Sequence, residues 1–464
     1  MRNAEMPTAI RLSDVVSALS VALDLTEGQP MGHAIRSCIL GMRMADELGL
    51  GATDRSNLYY ALLLKDSGCS TNAARLHQIL GCDEIIAKRE VKLEDWSKLS
   101  LSGARYLWRN VLPRAPVRHR LKRIVQVALH QRRNNAELIG SRCERGAEIA
   151  RKIGLTEATA EAIRSLDEHW DGGGYPEGRS GGEISRLAQI MNISQTMEVF
   201  AANSGPATAA SVVAERSGAW FDPELCDVAC VLCKDKQIWQ RLQATNVREY
   251  VLGMEPGTAI PASPERIDSL CEAFAQVIDA KSPYTFNHSV GVAAAATAIG
   301  EAMMLAPSTR TMIRRAALLH DIGKLGVSNS ILEKPGKLND AEWKVMRLHP
   351  AYTRLILQNI SGFENLAFVA AAHHERLDGK GYPDGLTAEQ MPLAARIIAV
   401  ADVYQALSEP RPYRGALPLQ VVLGMMDQDA PEKLDRSCVD ALKSSQSSAL
   451  PRGESRAKSA GASR

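Results

Sequence analysis

The sequence predicts an all-α protein made of two tandem copies of one helical domain. Strand patterns are nearly absent, whereas apolar residues recur at spacings of three and four, as in Leu366, Val369, Ala370 and His373. The stretch "EHWDGGGYPEG" at 168–178 echoes "ERLDGKGYPDG" at 375–385, with Tyr175 opposite Tyr382. Upstream, "YYALLLKDSGC" echoes "RRAALLHDIGK", and the same offset of 255 residues sets His33 opposite His288. At 464 residues the chain is long enough to bury two or three cores.

The first copy spans 1–235. Its motifs are spread wider than those of the second: Asp66 and Tyr175 lie 109 residues apart, Asp321 and Tyr382 only 61, so about 48 extra residues fall between 70 and 140. This insert contains "RNVLPRAPVRHRLKRIVQVALHQRRN", a basic run ending in a helix, read as a solvated face covering the rest of the domain. Cys226, Cys230 and Cys233 share one helical face and read as core thiols, since no fourth metal ligand stands near them. Residues 236–261 read as a linker because "MEPGTAIPASPE" is rich in proline and turn residues. The second copy spans 262–442. The final stretch, 443–464, is dominated by Ser, Lys and Arg and reads as a disordered tail.

Composition narrows the function classes. A formal charge of +2 predicts no general attraction to nucleic acid or membrane. No apolar run reaches the roughly 20 residues of a bilayer span, and the N-terminus lacks a signal-peptide apolar region, so a cytoplasmic protein is expected. Nine scattered cysteines fit reduced thiols.

Five of the ten histidines, His288, His320, His349, His373 and His374, fall within the second copy at helix ends or on apolar faces. Asp402 interrupts the apolar helix "LAARIIAVADVYQAL", and Asp321 ends another apolar stripe. A lone carboxylate buried there would cost several kcal/mol unless a cation compensates it. Imidazoles and carboxylates together suit first-row divalent ions, and seven such ligands suit a two-metal site.

"HDIGK", the "HP" at 349, "HHERLDGKGYPDG", "RIIAVADVYQAL" and "RPYR" together resemble the HD-GYP domain, a branch of the HD superfamily of metal-dependent phosphohydrolases. The resemblance covers about 262–442 and implies hydrolysis of cyclic di-GMP to pGpG or GMP with two divalent ions, iron or manganese. It implies the ligands His288, His320, Asp321, His349, His373, His374 and Asp402, with Asp321 as the bridge. Lys324, one turn past His320, would meet the phosphate beside Asp321 as a catalytic group. Arg376 and Lys380 are further phosphate candidates, and Tyr382 would stack on a guanine or pack against its loop. A GGDEF-type diguanylate cyclase is the implied protein partner, and a homodimer is compatible with it.

Two departures stand out: Tyr284 occupies the place where some relatives carry a third-metal glutamate, and Glu409 and Pro410 precede "RPYR". The matching positions of the first copy read Lys65 for His320, Cys143 for His349, Leu166 and Asp167 for His373 and His374, and Gln195 for Asp402. Only His33 and Asp66 survive, so this copy is expected to be degenerate, serving packing, dimerisation or regulation. Two competing readings are a cyclic dinucleotide receptor and a di-iron oxygenase. The full ligand set speaks against the first, and Lys324 with the glycine-rich loop against the second.

Overall fold

The structure, a computed structural model, describes residues 10–95, 101–411 and 414–449. Among them the regular structure is helical, with isolated bridges such as Asp171 to Ser180 and Asp378 to Thr387 in the loops. No helix among the described residues is long and apolar enough to cross a membrane.

The helix Leu12–Thr26 organises the molecule. Apolar Leu12, Val15, Val16, Leu19 and Leu23 are interleaved with small Ser13, Ser17 and Ser20, and all are buried, so the helix is covered on every side. It packs on His33–Glu47 and Ala52–Leu64 of the first half. It also packs on the 3-10 segment Ile322–Gly326 and on His349–Leu357 of the second. Leu12 N donates to Ile260 O at 2.8 Å and Ala262 N to Ile10 O at 2.8 Å, tying its start to the chain between the halves. One continuous core therefore runs through both halves, from Leu12 to Leu442. The helix Leu12–Thr26 thus packs on both halves.

Pro264–Asp279 is placed in the second half much as Leu12–Thr26 is in the first. Asp24 accepts from Gly32 N (2.7 Å) and Ala34 N (3.0 Å), and Asp279 accepts from Ser289 N (3.1 Å) and Ser289 Oγ (2.7 Å). Each carboxylate thus holds the first turn of a helix that begins at a histidine, His33 or His288. Burial pushes Asp24 up to about 7 and Asp279 to about 6.

Two segments differ from the sequence reading. The segment 236–261 is mostly helical, as Lys236–Leu242 and Val247–Gly253, with Ile238, Leu242, Val251 and Leu252 buried. Pro256, Gly257 and Pro261 all follow these helices, so only the last part behaves as a connector. The last described helix, Arg436–Ala449, runs seven residues into the expected tail, because Cys438, Val439 and Leu442 are buried and Lys443 pairs with Asp427 at 2.5 Å. Residues 450–464 lie outside the described residues.

The insert is a helical layer. Ala73–Leu80, Glu84–Val91, Leu101–Asn110 and Val117–Leu129 gather around a small satellite core of Ile79, Leu80, Cys82, Ala87 and Val111. Fully buried Glu84 pins it to the second half, accepting from Ser328 Oγ (2.9 Å) and Asn329 N (3.0 Å). Cys226 and Cys233 are buried and Cys230 is half-buried, packed in the core.

Candidate metal centre

The stripe Ile313, Ala316, Ala317 and Leu319 buries one face of Pro307–Leu319, and that anchoring carries His320 and Asp321 into the interior at the helix end. The chain then turns through Ile322–Gly326. At Gly323 the backbone presses on His349, where an added Cβ would lie 2.0 Å from the His349 carbonyl oxygen. Thr353 Oγ1 donates to His320 O at 2.8 Å and accepts from Gly323 N at 3.1 Å, riveting this turn to the helix His349–Leu357. His373 and His374 follow Glu364–Ala371, Asp402 sits inside Leu393–Ser408, and His288 opens His288–Ala302.

These seven side chains converge. His288, His320 and Asp321 form one group of potential ligand atoms, and His349, His373 and His374 a second, each within 4.8 Å. Asp321 faces both. Its Oδ2 lies 3.3 Å from His320 Nε2 and 3.8 Å from His288 Nε2, and its Oδ1 lies 3.4 Å from His349 Nε2 and 3.5 Å from His373 Nε2. Asp402 presents Oδ1 to His288 at 3.2 Å and Oδ2 to His374 Nδ1 at 3.8 Å.

The orientation of the rings favours a cation. His320, His349 and His373 each donate Nδ1–H to the carbonyl three residues earlier, on Ala317 (2.6 Å), Met346 (2.7 Å) and Ala370 (2.7 Å). That bond puts the proton on Nδ1 and turns the bare Nε2 inward. His320 Nε2 and Asp321 Oδ1 are buried with no hydrogen-bond partner among the described residues. Lone pairs therefore face lone pairs, an arrangement stable around a bound divalent ion, and these donors fit one. Burial drives His349 down to about 3 and His374 well below its ordinary value, keeping both neutral as ligands must be. Nearby imidazoles and Lys324 outweigh burial at Asp321, and His288 and His374 do so at Asp402, so both carboxylates stay ionised.

His288 is held differently. Its Nδ1 lies 3.1 Å from Glu409 Oε2, and Gln405 Nε2 donates to Glu409 Oε1 at 2.8 Å. Burial pulls His288 down, but the carboxylates of Asp402 and Glu409 lift it to about 9, so binding an ion at its Nε2 would release a proton. A carboxylate behind a ligand histidine orients the ring and raises its basicity. Glu409→Ala is expected to weaken metal affinity by about 10–100-fold, read by titrating the metal-free protein, with its melting temperature as the control for folding.

Of the four expected substrate contacts, two adjoin the centre. Lys324 Nζ is 2.5 Å from Asp321 Oδ2, and the Tyr382 ring lies 4.8 Å from His374. Arg376 is instead engaged by Asp378 in its own exposed loop (Nε to Oδ1 3.0 Å), and Lys380 is exposed on that loop with its backbone N donating to the same carboxylate. Asp378 thus pairs with Arg376, while Lys380 stays exposed to solvent. The loop takes its shape from buried Glu375, which accepts from the backbone of Asp384, Gly385 and Leu386 at 2.7, 3.1 and 2.9 Å. Two further cations border the centre. The Arg347 guanidinium lies 5.3 Å over the Tyr382 ring, and Arg411 Nη2 is 3.5 Å from His288 Nδ1. Arg347 stands two residues before His349, and nothing in its sequence context marks it.

The first half repeats the framework with other chemistry. A Cβ on Gly68 would lie 1.9 Å from Arg142 O, the same clash that Gly323 would make with His349 O. The residue opposite His349 is therefore Arg142, not Cys143; the offset of 207 residues between Tyr175 and Tyr382 also separates Arg142 from His349. Arg142 forms an ion pair with Asp167. Lys65, standing for His320, places its ammonium 3.0 Å from His33 Nε2 and pairs with Asp66. His33 Nδ1 pairs with Glu198, which stands at the position of Gln405. Glu27, Asp66 and Cys69 also cluster, but Lys92 lies 3.0 Å from Glu27 and 3.6 Å from Asp66, and Lys88 3.2 Å from Glu27. Lys65, Lys88, Lys92 and Arg142 thus set side-chain cations among these groups. Gly323→Ala is expected to cost about 1–3 kcal/mol by overpacking and to push His349 off the centre, read as a lower unfolding midpoint together with reduced metal content.

Residues 89–225 and 272–438 each match the HD domain family. The chain is 40% identical to "3'3'-cGAMP-specific phosphodiesterase 3" of Vibrio cholerae over 93% of its own length and 94% of that protein. It is 36% identical to the cyclic di-GMP phosphodiesterase response regulator RpfG of Xanthomonas campestris over 44% of this chain and 54% of that protein. The crystal structure of a cyclic GMP-AMP specific phosphodiesterase from V. cholerae superposes with a TM-score of 0.67 at 36% identity, covering 96% of this chain and 99% of that one. The two family matches, the near full-length similarity and the HD-GYP motifs around the centre lead to one conclusion: the chain belongs to the HD domain family.

Proposed function

We propose that this chain is a metal-dependent phosphodiesterase that opens 3′3′-linked cyclic dinucleotides, with 3′3′-cGAMP as its preferred substrate. The observation that carries the reading is the convergence of His288, His320, Asp321, His349, His373, His374 and Asp402 on one buried point, with Asp321 facing both histidine groups. The HD-GYP resemblance points to cyclic di-GMP. Preference for cGAMP is supported by the relative that aligns along nearly the whole chain, whereas the similarity to RpfG covers less than half of it.

These seven residues would hold two divalent ions, iron or manganese, whose nitrogen and oxygen donors suit either. When bound, the ions supply Lewis acidity toward the phosphodiester. The chain's own groups do the rest. Asp321 ties the two histidine clusters together, and Glu409 and the three backbone carbonyls lock the rings. Lys324, only partly buried and within reach of Asp321, offers a flexible cation to a phosphoryl oxygen. Tyr382 with Arg347 above it offers a face for a base at the rim. The first half acts as a scaffold, in which Lys65 and Arg142 replace ligands with fixed charges.

The test is hydrolysis of 3′3′-cGAMP, cyclic di-GMP and cyclic di-AMP by the metal-loaded protein, with products separated by chromatography. Linear dinucleotide from cGAMP at a kcat/KM about tenfold or more above that for cyclic di-GMP is expected, a difference of about 1.4 kcal/mol in transition-state binding. An equal or higher value for cyclic di-GMP would overturn the preference. Absence of turnover for all three at full metal occupancy would overturn the activity.

A further inference from the structure

We propose that the helical insert of the first half docks on an anionic lipid surface. The chain as a whole carries +2, yet residues 101–133 contain nine lysines and arginines and no aspartate or glutamate. The near neutrality of the molecule hides a strongly basic element balanced by an acidic remainder.

The helix Val117–Leu129 has no buried residue. Its inner side is attached through Ile124 and Val127 against the satellite core and through Arg123 Nε, which donates to Ile79 O at 3.0 Å. Its outer side presents Val117, Leu121, Val125 and Leu129 at four-residue spacing, 57, 50, 54 and 78% exposed. Arg118 and Lys122 alternate with them. On the adjoining helix Leu101 is 93% exposed and Trp108 43%. Arg105, Arg109, Arg118, Lys122, Arg132 and Arg133 make no ion pair with a carboxylate of the described residues.

Aliphatic and basic side chains side by side on one face select the occupant. A second copy would set nine cations against nine. A nucleic acid would satisfy the cations by phosphate contact and leave the aliphatic stripe in water. An anionic bilayer surface takes both, with headgroup phosphates on the guanidinium groups and the valines and leucines in the interface. The helix lies in the surface plane and nothing needs to cross it.

The experiment is co-sedimentation of the full-length, metal-loaded protein with phosphatidylcholine vesicles with and without phosphatidylglycerol. Binding to the phosphatidylglycerol vesicles alone is expected. The combined variant Val117→Ser, Val125→Ser, Leu129→Ser should bind about tenfold more weakly or less. The variant Arg118→Gln, Lys122→Gln, Arg132→Gln, Arg133→Gln should lose the salt-sensitive part. Unchanged melting temperatures for both variants establish that the fold is intact. No binding to anionic vesicles overturns the proposal. So does binding that ignores the serine substitutions and is displaced by duplex DNA, which would make the face a nucleic-acid surface instead.

Discussion

Asp321→Asn is expected to lower cyclic dinucleotide turnover by about a thousandfold or more and to release bound metal. The carboxylate is fully buried, and each oxygen serves a different histidine group, Oδ2 toward His288 and His320 and Oδ1 toward His349 and His373. Asparagine keeps the shape but removes the charge and turns one oxygen into an amide donor, so at best one group keeps its shared anionic ligand. Lys324 loses its partner at the same time. The measurements are kcat/KM at saturating metal and metal content per chain after gel filtration. Turnover within tenfold of the parent protein would show that Asp321 does not link the two histidine groups.

The second large effect lies in the first half. Lys65→Met is expected to destabilise the protein by about 3–5 kcal/mol, the cost of leaving a buried charge without its partner. The Lys65 side chain is completely buried, donates to His33 Nε2 at 3.0 Å and pairs with Asp66. Methionine matches the length of the stem but leaves the buried Asp66 carboxylate with Lys92 at 3.6 Å and the weak thiol donor of Cys69 at 3.7 Å. A chain of this size need not unfold in two states, so the readout is the midpoint of the urea transition with metal content followed in parallel. A lower midpoint with unchanged metal content is the expected pair of results. An unchanged midpoint would mean that the ammonium contributes nothing net to the first half.

Much of the candidate site was legible because its chemistry conflicts with its surroundings. His320 and Asp321 end an apolar stripe, and Asp402 interrupts one, so each advertised a missing cation before any distance was known. The GYP-type loops were legible through their repeat. Less legible was whatever depends on one segment touching another far along the chain. Cys143 was matched to His349 one residue out of register, since short segments with few shared identities do not fix a pairing, whereas the contact of Gly68 with the Arg142 carbonyl does. Glu409 looked like a local irregularity until His288 was found 3.1 Å away. Arg376 looked free because Asp378, two residues along, was not weighed against it. In the fold, the prolines after residue 255 obscured two short helices before them.

The enclosure of the helix Leu12–Thr26 bears on how the protein is made. Leu25 packs against Gly326, a partner translated roughly 300 residues later, a contact of very high sequence separation. Domains usually fold as units during synthesis, the N-terminal one first. Here the first helix cannot finish burying its surface until the segment carrying Asp321 and Lys324 has left the ribosome. The nascent first half therefore emerges with an unfilled seam, and Leu12–Thr26 is the stretch on which a chaperone would act during translation.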